Sequence, residues 1–147
     1  MVRLGWPGWC LGLLLGISAW PVVVEAQEGT GVAAPLVDLR ENYPNPFTTA
    51  TTIPFYLHPN LCAKGQKPRV SLKIFNLLVQ VVAIPVLMTT DDKGRRLDNI
   101  RIPCGEHQAF WDGRFKDRKR SVTPGVYYYQ LTVNGELYTR KMVAQQP

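Results

Sequence analysis

From about residue 51 onward, apolar and polar side chains alternate in short runs, and the runs are separated by turn-forming residues. The clearest run is RVSLKIFN (69–76), where Val70, Leu72 and Ile74 fall on one side and Ser71 and Lys73 on the other, the period of a half-buried strand. TTIPFYL (51–57) predicts a strand before it, and Pro54, which cannot donate to a ladder, places that strand at an edge or a bulge. LLVQVVAIPVLM (77–88) is apolar enough for a central strand but is interrupted by Pro85. LDNIRIP (97–103) predicts a short strand, and EHQAFWDG (106–113) carries Phe110 and Trp111, facing opposite ways, into an Asp-Gly turn. GVYYYQLTV (125–133) and ELYTRKMVA (136–144) are joined by Asn134 and Gly135, which accept the positive φ of a type I′ hairpin turn.

Short strands, frequent turns and the lack of a helical period after residue 26 predict an all-β domain. The expected form is a small antiparallel immunoglobulin-like β-sandwich of about seven strands, preceded by an N-terminal hydrophobic helix. Its core is expected from Val70, Leu72, Ile74, Val82, Ile84, Trp111, Tyr127, Tyr129, Leu131 and Met142. The domain spans residues 39–147, after a linker at 27–38 that is short of large side chains. Ahead of the first strand, ENYPNPF (41–47) holds its backbone stiffly, because Pro44 and Pro46 fix φ and push Tyr43 and Asn45 toward extended geometry.

The remaining segment, residues 1–26, is membrane-directed: residues 4–24 carry no charge and follow a single Arg3. A cleaved signal peptide ending at Ala26 and a retained transmembrane anchor with interfacial Trp6, Trp9 and Trp20 both fit, and both export the domain to the periplasm, the outer face of a membrane or the cell surface. Export changes the meaning of the cysteines. Cys62 and Cys104 are the pair left outside the apolar segment, so in an oxidising compartment they read as a disulfide, the alternative being two separate buried thiols.

ENYPNPF, SLKIFNLLVQVV, WDGR and GVYYYQLTVNGELYTRKMV, taken in order, resemble the carboxy-terminal sorting domain of the type IX secretion system and the related immunoglobulin-like domain of the flagellar hook-capping protein. The likeness runs from about Leu39 to Val143. It implies scaffold roles for Asn45, Pro46 and Phe47, for Asn76, for Trp111, Asp112 and Gly113, and for Gly125 and Tyr127. Two departures stand out: Val79 occupies the position where the family has a glycine before Gln80, and RFKDRKRSVTP replaces an acidic, glycine-bearing turn. Sorting domains follow a cargo domain, whereas this chain reads as the module serving as the whole protein.

Chemistry for catalysis is not evident. His58 and His107 stand far apart among non-ligand residues, Asp91, Asp92 and Asp98 read as a solvated turn, and neither nucleophile motifs nor phosphate loops occur. No enzyme activity and no cofactor or metal are expected. The chain carries a net charge of +6, and its one concentrated polar feature is Arg114, Lys116, Arg118, Lys119 and Arg120, five cations in seven positions. That run is either a solvated loop or a contact to an acidic partner. The expected function is a non-catalytic structural or accessory subunit that docks on protein subunits of a membrane complex, with anionic lipid heads as a further partner and no nucleic acid. The alternatives are a stand-alone secreted module of the sorting-domain type and a surface carbohydrate-binding module.

Overall fold

The computed structural model describes residues 34–88 and 94–146. Among them nine strands run in the order β1 (Val37–Leu39), β2 (Thr51–Leu57), β3 (Arg69–Phe75), β4 (Val81–Ala83), β5 (Val86–Leu87), β6 (Ile100–Arg101), β7 (Gly105–Trp111), β8 (Gly125–Val133) and β9 (Glu136–Ala144), with a 3-10 segment at Pro59–Gly65. They form two separate sheets, one ordered β1-β2-β7-β5 and one ordered β4-β3-β8-β9, with β6 pairing beside β4 on β3. This corrects the expected small antiparallel immunoglobulin-like β-sandwich of about seven strands: the described residues are β-rich, but their nine strands lie in two separate sheets. No helix among the described residues is long and apolar enough to cross a membrane, so the described part of the chain supplies no transmembrane helix. Residues 4–24, on which the expectation of such a helix rested, lie outside the described residues.

The clear alternations form long ladders. β3 buries Val70, Leu72 and Ile74 and pairs with β8 from Val70↔Val133 to Phe75↔Tyr128. β8 and β9 pair without slippage from Val133↔Glu136 to Gly125↔Ala144 around Asn134 (φ 49°) and Gly135 (φ 94°), the two positive φ values that a type I′ turn requires. One buried cluster draws on both sheets, with Ile53, Phe55, Leu57 and Trp111 from the first and Leu72, Ile74, Tyr129 and Met142 from the second.

The most apolar run of the domain departs most from expectation. Residues 77–88 do not form a central strand. Leu77, Leu78 and Val79 are solvent-exposed, β4 lies at the edge of one sheet, and β5 lies at the edge of the other. Ile84 and Pro85 carry the chain between them, so Ile84 is only half-buried where a core position was expected. Proline cannot donate to a ladder, and here Pro85 separates two strands of different sheets.

Pro54 is not on an edge strand either. β2 runs between β1 and β7, pairing with β7 over its whole length from Thr51↔Trp111 to Leu57↔Gly105. The irregularity lies in the facing chain: Arg40 N donates to Pro54 O and Tyr43 bridges Thr52, so Glu41 and Asn42 together face Ile53 in a bulge.

Candidate functional site

At one end of the fold the sequence motifs converge on Trp111. Its ring meets Phe47 at 5.3 Å and Tyr127 at 6.0 Å between centroids, which joins the proline-rich lead-in, β7 and β8. The stiff lead-in also covers an open sheet edge. Phe47 N donates to Val143 O, Gln145 N donates to Phe47 O, and Val143 N donates to the Asn45 side chain, so the end of β9 is capped. The Tyr43-Pro44 and Asn45-Pro46 bonds are both cis. Gly113, at φ +66°, is pressed so closely on the lead-in that a Cβ would lie 2.3 Å from Thr49 O. Gly125 opens β8 at φ +151°. The Tyr127 hydroxyl donates to Thr123 O at 2.8 Å.

The same tryptophan organises the basic loop. Trp111 Nε1 donates to Arg114 O at 2.9 Å, and Asp112 Oδ1 accepts from Arg114 N at 3.2 Å. Phe115 N and Lys116 N then donate to Arg120 O and Val82 O, so the loop is tied both to itself and to β4. Arg120 lies over the Phe115 ring at 5.2 Å and is 3.7 Å from Asp117. The backbone that carries the cations at 114–120 is therefore held by a network of hydrogen bonds.

Beside this loop opens a cleft of about 550 Å³ lined by Ile84, Pro85, Phe110, Asp112 and Phe115 together with Arg96, Arg114, Lys116 and Arg118. Arg96 reaches it because its backbone bridges Val86 of β5. Four cations against one carboxylate, Asp112, make the described wall positive, and a partly apolar floor raises the attraction for an anion relative to open water. Lys119 and Arg120, the other two cations of the loop, do not line the cleft.

A second feature adjoins the loop. Asn76 Oδ1 accepts from Leu78 N at 3.0 Å and from Gln80 N at 2.9 Å, and Val79 N donates to Asn76 O at 3.0 Å. These bonds close a tight turn that presents Leu77, Leu78 and Val79 outward at 66%, 76% and 78% exposure. Val79 sits at φ +60°, a conformation that costs a β-branched residue on the order of 1–3 kcal/mol. The sequence marked this place only as a valine where a glycine is usual.

Cys62 and Cys104 form a disulfide with their Cα atoms 6.0 Å apart, linking the 3-10 segment to the residue before β7. His58 accepts from Asn60 N, and the buried His107 bonds Pro103 O and stacks on Phe55. Among the described residues no group of three or more His, Cys, Asp or Glu side chains is placed to hold a metal ion. Asp91 and Asp92 lie outside the described residues.

No protein-family model matches the chain, and no curated protein matches it. Among solved structures, the alkylpurine DNA glycosylase AlkC of Pseudomonas fluorescens, bound to DNA containing an abasic-site analogue, is similar over 77% of this chain at 13% identity with a TM-score of 0.41. The chain spans 31% of that protein's length, and a likeness at this TM-score carries no argument about function.

Proposed function

We propose that the protein is a non-catalytic accessory subunit of an exported, membrane-associated assembly, and that it docks on an acidic surface of a partner protein through the cleft beside Trp111. The observation that carries this reading is the convergence of Arg96, Arg114, Lys116 and Arg118 on one cleft whose wall is fixed by the Trp111 bond to Arg114 O. A loop backbone held beforehand lowers the ordering cost of binding, and a cluster of one sign favours encounter with the opposite charge. The ordered set of motifs that resembles secretion-sorting and hook-capping domains supports an exported scaffold rather than an enzyme.

The test is to recover the protein from its own cells at low ionic strength with Arg114, Lys116 and Arg118 intact or replaced by glutamate. A specific partner that is retained by the wild type, lost by the triple variant and released from the wild type by about 0.5 M salt supports the reading, since screening at that strength shortens the reach of exposed charges to a few ångströms. Equal retention by both forms, or recovery of the protein free of any partner, overturns it. Competition by an acidic polysaccharide in place of any protein would favour the carbohydrate-binding alternative.

A further inference from the structure

We propose that the turn carrying Leu77, Leu78 and Val79 is a membrane-insertion tip, which seats the domain peripherally on an anionic lipid surface. This goes beyond the docking role of the cleft and rests on a different turn, with Lys116 the one cation that borders both. Scattered exposed leucines are ordinary, but here three consecutive apolar side chains are held outward together by the side chain of Asn76. A shallow hollow of about 240 Å³, lined in part by Phe75, Val79 and Tyr128, separates the turn from the outer face of the second sheet. The turn therefore stands off that face, with its apolar side chains open to solvent.

The charges around it have the sign that a bilayer with anionic heads would attract. Tyr128 lies opposite Phe75 on one side and Lys141 on the other, and Lys73 lies opposite Gln130 one step along the same face, so two lysines stand on the sheet face that the turn adjoins. On its other side Asn76 and Gln80 share a hollow with Lys116, Arg120 and Asp117. Asp117 is the one carboxylate of this rim among the described residues, and it is occupied by Arg120 and by the backbone of Lys119. Apolar side chains of an interfacial segment enter roughly 5–10 Å below the headgroups while neighbouring cations stay among the phosphates, and a three-residue turn with cations behind it matches that layering.

The test follows hydrogen exchange of the full chain in the presence of vesicles, because exchange reports on residues 76–80 separately from any binding by residues 4–24. With phosphatidylcholine vesicles containing about a third phosphatidylglycerol, amides of 76–80 and 114–120 should slow, and roughly tenfold more lipid should be needed when the vesicles are pure phosphatidylcholine. Replacing Leu77 and Leu78 with serine should remove the protection while leaving the urea midpoint unchanged, both side chains being exposed. Lys73→Glu with Lys141→Glu should weaken it, most of all at low salt where screening is least. Unchanged exchange at 76–80 with anionic vesicles, or protection that survives the serine substitutions, overturns the proposal. Protection of the turn by an acidic protein without lipid would assign the tip to a protein partner instead.

Discussion

The hydroxyl of Tyr129 takes the hydrogen-bonding place that Pro54 leaves empty. Arg40 N donates to Pro54 O, so in an antiparallel ladder Arg40 O faces the nitrogen of residue 54, which as proline has no hydrogen to give. Tyr129 Oη, reaching across from β8 of the other sheet, donates to Arg40 O at 2.8 Å and accepts from Asn42 N at 3.1 Å. A proline inside a three-strand run is thereby tolerated, and the vacancy becomes a tie between the two sheets.

Tyr129→Phe should therefore cost roughly 1–3 kcal/mol, because it strands a carbonyl and an amide and leaves the packing unchanged. Burial holds the Tyr129 hydroxyl above the usual tyrosine range. The folded state keeps the proton that the unfolded chain releases from about pH 10, so this contribution is present below pH 10 and declines as pH rises beyond it. Urea midpoints measured from about pH 8.5 to 11 should fall more steeply for the wild type than for Tyr129→Phe. Parallel curves would show that the Tyr129 hydroxyl does not set the alkaline limb.

Gly113→Ala and Gly135→Ala make a matched pair. Both glycines hold a positive φ, at 66° and 94°, but a Cβ at 113 meets Thr49 O whereas nothing lies within 4 Å of one at 135. Position 135 should lose about 1 kcal/mol from backbone strain alone, and position 113 about 3 kcal/mol or more from strain and overpacking together. Equal losses in denaturant unfolding would mean that the lead-in moves aside and that its seat on Gly113 is soft.

The disulfide closes a chain separation of 42 residues. Replacing Cys62 and Cys104 together with serine should lower stability by roughly 4 kcal/mol on loop entropy, a large part of what a domain this size holds. Intact mass under native conditions should show no free thiol at either position, and alkylation of both without denaturant would contradict the bridge.

Much of this architecture was legible because local signals and tertiary pairing agree. Alternation in residues 69–76 and the Asn134-Gly135 turn each specify one face and one register, and β3, β8 and β9 follow them. Trp111 points inward and Phe110 outward for the same reason. Apolarity misled at 77–88, since composition registers the cost of exposure but not the side-chain bonds of Asn76 that hold three apolar residues in water, nor the partner sheets on either side of Pro85. The basic loop was visible as charge. Its cleft was not, because Arg96 arrives from a distant turn only through pairing with Val86. β1 and β6 carry too few residues for any period to appear and exist through the longer strands they pair with.

Val79→Gly separates stability from function at the exposed turn. Glycine relieves the left-handed strain at φ +60°, while the extra freedom of the unfolded chain returns about 0.4–1 kcal/mol, so a net gain near 1 kcal/mol is expected in denaturant unfolding. The side chain removed is the most exposed of the three at the tip, so packing of the core should not change and the unfolding slope should stay constant. Binding should move the other way. A tip that enters a lipid surface loses apolar area with Val79, and vesicle affinity should fall several-fold even as the fold becomes more stable. Val79→Ala, which keeps the left-handed strain, should weaken binding without the gain in stability. If Val79→Gly binds anionic vesicles as well as the wild type, the strain at this turn is not tied to what the turn touches.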